Sequence, residues 1–208
     1  MKPTIIYIYI FDTLSDWEIG YITAGINNPM MQVEPGKYQL RTFSIDGEAI
    51  RTMGGLQIVP DLSLAEVSAS NAAMLIIPGG TSWNAGENHE ASLLARDFHD
   101  AHIPVAAICG ATLGLAKVGM LNSTAHASNS KDYILTSRYE GSDNYKNVLA
   151  ISDNGIITAS GTASLEFSRE IFKALGLYTD SVLEAWYELF KTSAPEAFAK
   201  LMTAVEKQ

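Results

Sequence analysis

The segment IPVAAICGAT at residues 103–112 carries the strongest signal of the fold. Its first six residues are apolar, without the alternation that marks a strand with one solvent-exposed face. We therefore predict a buried strand of the parallel type over residues 103–108, which ends at Cys109. The small residues that follow predict a short helix over residues 111–118. The two elements together predict a sharp strand-to-helix turn with a cysteine at its apex.

Two other segments share this uniformly apolar character. IIYIYI at residues 5–10 is β-branched and aromatic throughout, and AMLIIP at residues 73–78 ends in Gly79-Gly80. Both are predicted to be buried parallel strands. The remaining predicted strands are shorter or alternate more, and they comprise residues 38–44, a hairpin within residues 51–59, and a late pair at residues 148–152 and 156–159.

Helical patterns fall between and after these strands. The predicted helices cover residues 15–27, 87–102, 111–118, 164–175 and 180–191, with a last one from about residue 193 onward. The first begins with Ser15 and Glu18 at the spacing of a capping box, in which both side chains satisfy amides at the helix start. Strands that alternate with helices predict an α/β sandwich with a mostly parallel central sheet, followed by additional C-terminal helices.

The composition narrows the class of protein. Of the 208 residues, 47% are hydrophobic and 18% are charged, which excludes intrinsic disorder. No repeat or linker divides the chain, so one domain is predicted over residues 1–208, with a core over about 4–176 and a helical extension over 177–208. The apolar stripes of this extension either complete the core or form a subunit interface.

The charge and the cysteine content limit which partners and cofactors are expected for this protein. The chain has 14 Lys and Arg against 23 Asp and Glu, a formal charge of −9. Nucleic acids and anionic membranes need clustered cations, so neither is an expected partner. The single cysteine excludes an internal disulfide and a cysteine-rich zinc site, and no metal or nucleotide motif predicts a cofactor. Because neither a signal peptide nor a membrane-spanning run is visible, a cytoplasmic location is expected.

Cys109 is the residue best placed for chemistry. Parallel strands bring their carboxyl ends to one edge of a sheet, where α/β proteins bind ligands. The N-terminus of the following helix favours a thiolate and predicts a lowered thiol pKa, although a buried structural cysteine fits the same spacing. Glu18 is either a capping residue or a carboxyl group that reaches Cys109 and moves protons. His126, in a polar loop, is either solvated or the base that activates the cysteine.

Glycines near these residues suggest a place for negative charge. Gly79-Gly80 follows a buried strand and is either a simple strand exit or an oxyanion site with amides close to Cys109. Gly110 lets the chain turn tightly after the cysteine and leaves amides that face an anion.

The combination of these pieces resembles the ThiJ/PfpI superfamily, also called the DJ-one family. The resemblance runs from about residue 4 to 176, and its matching stretches are Asp16-Trp17-Glu18, residues 75–80, residues 105–110, Ala125-His126 and residues 157–161. It implies a flavodoxin-like three-layer sandwich and a homodimer. It also implies site roles: Cys109 as nucleophile, Glu18 as its carboxyl partner, His126 as a third member, and amides near Gly80 and Gly110 as oxyanion donors.

Two departures refine the expected activity. Gly110 stands where the protease-like branch of the family has histidine, which disfavours peptidase activity. No histidine follows His126, whereas glutamine amidotransferases of related fold use a late one. The leading hypothesis is a Cys–Glu enzyme for small-molecule substrates, electrophilic carbonyl or amide compounds, with glyoxalase-, deglycase- or amidase-like chemistry. The alternatives are a redox or oxidative-stress sensor and a chaperone-like module, both without turnover.

Overall fold

A seven-stranded sheet forms the centre of the computed structural model, which describes residues 3–208. The strands are β1 (Thr4–Tyr9), β2 (Tyr38–Ser44), β3 (Ile50–Arg51), β4 (Gln57–Ile58), β5 (Leu62–Ser63), β6 (Ala72–Ile77), β7 (Val105–Ile108), β8 (Ala150–Asp153) and β9 (Ile156–Ala159). The order in the main sheet is β5-β2-β1-β6-β7-β9-β8, and every neighbouring pair is parallel except β8 with β9. Strands β3 and β4 form the separate antiparallel hairpin that the sequence predicts.

Helices cover both faces of this sheet. They are α1 (Gly20–Asn27), α2 (His89–Asp100), α3 (Gly110–Lys117), α4 (Lys131–Leu135), α5 (Ser164–Leu175), α6 (Asp180–Thr192) and α7 (Pro195–Glu206). Helices α1 and α5 pack on one face and α2 and α3 on the other, while α6 packs on α5 and α7 on α6. The three-layer α/β sandwich with additional C-terminal helices is thus confirmed.

The apolar strands lie in the middle of the sheet, as their sequences require. Strand β1 pairs with both β2 and β6, and the side chains of Ile6, Ile8 and Ile10 are fully buried. Strand β7 is buried along its whole length between β6 and β9. A strand with helices on both faces has no solvent-exposed side, which explains why apolar and polar residues do not alternate in these segments.

The capping box predicted at Ser15 is wrong. Residues Asp16–Glu18 form a single turn of 3₁₀ helix, α1 begins only at Gly20, and the Ser15 side chain caps nothing. Glu18 is instead fully buried. A true capping box forms later in the chain, between Ser63 and Glu66, where the sequence prediction did not place a helix.

Helix α6 completes the core rather than leaving its apolar stripe open. Trp186 is 3% exposed, and its ring lies 5.1 Å from that of Phe172 in α5 and 6.0 Å from that of Tyr21 in α1. Phe190 and Phe198 remain about half exposed at the outer end of this layer. Across residues 3–208, no helix is long and apolar enough to cross a membrane.

The packing of Trp186 predicts a large cost on truncation. Trp186→Ala removes a fully packed aromatic side chain and should lower the free energy of unfolding by about 3–5 kcal/mol, as core aromatic truncations do. Phe198→Ala truncates a 56% exposed ring and should cost less than about 1 kcal/mol. Urea denaturation of both variants measures the difference. Equal, small losses would show that α6 is not part of the cooperative core.

Candidate active site

Cys109 lies in a strained turn between β7 and α3. Its backbone has φ 58° and ψ −124°, a conformation that residues other than glycine rarely adopt. Three hydrogen bonds hold this turn: the Cys109 amide donates to the Ala159 carbonyl of β9 at 3.0 Å, and the Cys109 carbonyl accepts from the Thr112 hydroxyl at 2.6 Å and from the Thr112 amide at 3.2 Å. The surrounding structure thus fixes the sulfur at the carboxyl edge of the sheet, as the sequence predicts.

Glycines on both sides leave room for the cysteine. A Cβ atom added to Gly79 would lie 2.4 Å from Cys109 Cβ, and one added to Gly161 would lie 2.7 Å from Cys109 Sγ. Both distances are far below van der Waals contact, so only glycine fits at either position. A Cβ atom added to Gly110 would lie 2.8 Å from the Trp83 side chain, and one added to Gly80 would lie 2.5 Å from the Thr13 carbonyl oxygen. The three predicted glycines and Gly161 therefore shape the site through their lack of a side chain.

The Glu18 carboxyl group is fully buried beside this cysteine. Its Oε2 accepts a hydrogen bond from the Gly79 amide at 2.5 Å, and its Oε1 has no partner among the described residues. Burial raises the pKa of Glu18 to about 7, against the lowering effect of the Gly79 hydrogen bond. The Gly79 amide already donates its hydrogen bond to Glu18. It is therefore not free to serve as the oxyanion donor that the sequence predicted.

The pKa of the Cys109 thiol is raised, whereas the N-terminus of the following helix predicted that it would be lowered. Burial, and next the negative charge of Glu18, raise the pKa of Cys109 to about 11. Hydrogen bonds from Asn129 and the Gly110 amide oppose this shift without overcoming it. Burial and the charge of Glu18 therefore both favour a neutral thiol at Cys109.

His126 is neither solvated nor bonded to the cysteine. It is fully buried, with Nδ1 2.7 Å from the Thr124 carbonyl oxygen and Nε2 2.8 Å from the Tyr139 hydroxyl. The Thr124 carbonyl oxygen can only accept, so Nδ1 of the neutral ring carries the proton and Nε2 accepts from the Tyr139 hydroxyl. Burial lowers the pKa of His126 and favours the neutral ring. Since both ring nitrogens are occupied, the described structure does not bring His126 to Cys109 as a base.

Asn129 occupies the position beside the sulfur and was missed by sequence analysis. Its Nδ2 donates to Cys109 Sγ at 3.4 Å, and its Oδ1 accepts from the Gly161 amide at 2.9 Å. The Gly161 carbonyl in turn accepts from the Trp17 indole nitrogen at 2.8 Å. The polar loop that holds His126 was the available signal, but nothing in its sequence tells which side chain points to the elbow.

Two aromatic side chains, Tyr133 and Trp17, lie near the site. The Tyr133 hydroxyl donates to Asn84 Oδ1 at 2.8 Å. Burial, followed by the charges of Cys109 and Glu18, raises the pKa of Tyr133 to about 12, which places this phenol near the pair. Trp17 leaves 52% of its surface exposed although its nitrogen is bonded. Within residues 3–208, no group of three or more His, Cys, Asp or Glu side chains is arranged to hold a metal ion.

A parallel sheet whose central strand ends in a strained cysteine defines a class of α/β proteins with an elbow thiol at the carboxyl edge. A model of the DJ-1/PfpI family matches residues 4–174 of this chain. The chain therefore belongs to the DJ-1/PfpI family. The match ends within α5, so α6 and α7 lie beyond it.

The similarity to known proteins extends over the whole chain. This chain is 39% identical to a Bacillus subtilis protein named "Uncharacterized protease YoaZ", over 100% of both sequences. Among solved structures, a thiJ/pfpI family protein from Bacillus anthracis is 38% identical with a TM-score of 0.91, covering 98% of each chain. The DJ-1 superfamily protein Atu0886 from Agrobacterium tumefaciens is 32% identical with a TM-score of 0.81, covering 91% of this chain and 98% of that one.

The raised pKa of Glu18 predicts a specific pH dependence of stability. The folded carboxyl holds its proton up to about pH 7, while the unfolded one loses it near its ordinary pKa of 4.5, so stability falls as pH rises through this window. Glu18→Gln removes the titration and keeps an acceptor for Gly79. Between pH 4.5 and 8, the unfolding free energy of the variant relative to wild type should therefore rise by roughly 3 kcal/mol.

Thermal and urea unfolding at both ends of this pH range measure that shift. Glu206→Gln, at the exposed end of α7, is the matched control and should show no comparable change. A difference between Glu18→Gln and wild type that is independent of pH would contradict the raised pKa.

Proposed function

We propose that this protein is a cysteine-dependent enzyme for small electrophilic carbonyl or amide compounds, with Cys109 as nucleophile and Glu18 as the group that moves its proton. The observation that carries the proposal is the buried Glu18 carboxyl, which borders Gly79 together with the Cys109 sulfur and has a pKa of about 7. General acid–base catalysis is most effective when the pKa of the catalytic group lies near the working pH.

The pair accounts for each proton of the addition step. The Cys109 sulfur forms a bond to the carbonyl carbon while its proton passes to the Glu18 carboxylate, and the π electrons move to the carbonyl oxygen. With an aldehyde or ketone, Glu18 then protonates that oxygen and a hemithioacetal results. With an amide, Glu18 protonates the departing nitrogen instead, and water hydrolyses the thioester that remains on Cys109. Glu18 is thus base in the first half and acid in the second.

The negative oxygen formed in this step needs hydrogen-bond donors. We assign this role to the amides near Gly80 and Gly110, because Gly110 begins α3 next to the nucleophile and the N-terminus of a helix favours negative charge. Gly79 is excluded because its amide binds Glu18. His126 is also left out of the mechanism, because Thr124 and Tyr139 occupy its ring nitrogens.

Peptide hydrolysis is not the activity we propose. The word "protease" in the name of the Bacillus subtilis relative describes that protein, and this chain has Gly110 where the protease-like branch of the family has histidine. A small carbonyl or amide compound is a better match to a site whose proton transfer depends on one buried carboxyl.

Turnover of methylglyoxal and of a panel of small amides tests the proposal. Cys109→Ser should lose essentially all turnover, and Glu18→Gln should lose roughly 10²- to 10⁴-fold, because glutamine cannot exchange a proton. Glu206→Gln serves again as the control with a remote carboxyl. If Cys109→Ser is inactive while Glu18→Gln retains full activity, Glu18 is not the proton carrier.

A redox sensor is the second candidate, and the Glu18 carboxyl, which borders Gly79 together with the Cys109 sulfur and has one oxygen without a partner among the described residues, favours it. Protonated Glu18 can donate a hydrogen bond to an oxygen added to sulfur by peroxide. The raised thiol pKa opposes it, since oxidation proceeds through the thiolate. Absence of turnover in the wild-type protein, together with oxygen addition at Cys109 in mass spectra after mild peroxide, would select the sensor over the enzyme.

We also propose that the protein is a homodimer, since two-fold dimers are the commonest assemblies. The β3–β4 hairpin supports this proposal because it exposes Met53, Leu56 and Val59, the last of these by 73%. Light scattering should give about twice the mass of the chain, and Val59→Glu should shift it toward the monomer. Val148→Glu, at another exposed apolar residue, should leave the mass unchanged. A wild-type monomer at micromolar concentration would contradict the proposal.

A further inference from the structure

Two hydrogen bonds hold the loop after α3 just before it reaches Asn129, one to strand β9 and one to helix α3. The Ala127 amide donates to Thr158 Oγ1 of β9 at 2.9 Å, and the Ser128 hydroxyl donates to Thr112 Oγ1 at 2.7 Å. Thr112 is the residue that bonds the Cys109 carbonyl. The backbone leading to Asn129 is therefore tied to the same turn that holds the nucleophile.

The orientation of the Asn129 side chain is determined by its partners. Its Oδ1 accepts from the Gly161 amide, which can only donate, so the Nδ2 end faces the sulfur. Gly161 is itself held by the hydrogen bond from the Trp17 indole to its carbonyl. The amide group of Asn129 thus presents a fixed N–H to Cys109 Sγ.

We propose that Asn129 is a catalytic residue, which donates a hydrogen bond to the Cys109 sulfur as negative charge develops there. This inference rests on the proposed function, in which the thiol proton moves to Glu18. After that transfer Glu18 is neutral and the partly buried sulfur carries the charge. Hydrogen bonds to a charged group are stronger than those to a neutral one, so the Asn129 contact gains strength in the step that needs it.

An amide differs in kind from the histidine that the family resemblance implied for this site. An imidazole beside a thiol can take the proton itself and form an ion pair. The Asn129 amide does not ionise, so it stabilises the thiolate only when another group removes the proton, and Glu18 is the group in place. The direction of its effect agrees with the lowering of the Cys109 pKa that the Asn129 hydrogen bond causes.

Two substitutions separate the donor from the rest of the side chain. Asn129→Asp retains an acceptor for the Gly161 amide and nearly the same shape, but it replaces the donor at sulfur with a negative charge. Asn129→Leu removes both polar ends without adding charge. Asn71→Asp makes the same chemical change at an exposed residue just before β6, at the opposite edge of the sheet, and is the matched control.

Alkylation of Cys109 by iodoacetamide, followed from pH 7 to 10, reports the thiolate without requiring turnover. We expect the rate at pH 8 to fall about tenfold in Asn129→Leu, the usual scale for losing a hydrogen bond to a charged group. Asn129→Asp should fall further, by about 100-fold, because a like charge is added. Asn71→Asp should react as the wild type does. Thermal unfolding of each variant confirms that the folded protein is being alkylated.

The outcomes distinguish this inference from the proposed enzyme. Wild-type alkylation rates in both folded Asn129 variants would overturn the role of Asn129, whatever the turnover assays show. If only Asn129→Asp fails to fold, Asn129→Leu decides alone. Slower alkylation in the variants together with an absence of turnover in the wild type would support the donor at sulfur while contradicting the enzyme.

Discussion

The burial of one carboxyl group against one thiol is the constraint on which the site depends. Glu18 and Cys109 are both acids, and a buried place beside Gly79 holds a single negative charge far more readily than two. Burial raises the pKa of both groups, and the charge of Glu18 raises that of Cys109 further. The Gly79 amide binds the carboxylate and the Asn129 amide faces the sulfur, so each group has its own donor.

The parallel sheet supplies the close approach that this pair requires. Strand β7 lies between β6 and β9, so the residues that follow these three strands meet at one edge. Gly79 follows β6, Cys109 follows β7 and Gly161 follows β9, and neither glycine position accepts a Cβ atom. The strained backbone of Cys109 persists because β9 and Thr112 hold it from two sides. The fold thus stabilises an arrangement that no local segment adopts by itself.

Sequence patterns predicted the elements whose position depends on burial. They failed for side chains whose orientation is set by tertiary contacts. The apolar strands and the elbow at Cys109 follow from uniform hydrophobicity and small residues. The Ser15–Glu18 spacing is shared by a capping box and by a 3₁₀ turn with an inward carboxyl, so spacing alone gave the wrong assignment. Asn129 could not be found because its orientation depends on Gly161, which is 32 residues further along the chain.

A neutral thiol at rest gives the site a form of chemical selectivity. A cysteine that is already a thiolate reacts with peroxide and with any electrophile that reaches it. Here burial and the neighbouring carboxylate favour the protonated sulfur, and in the proposed mechanism it becomes a nucleophile only as Glu18 takes the proton. Under this proposal, a compound that places its electrophilic carbon on the sulfur and its oxygen among amide donors assists that transfer, because it accepts the developing charge. The proposed mechanism therefore makes reactivity depend on a correctly placed substrate rather than on the cysteine alone.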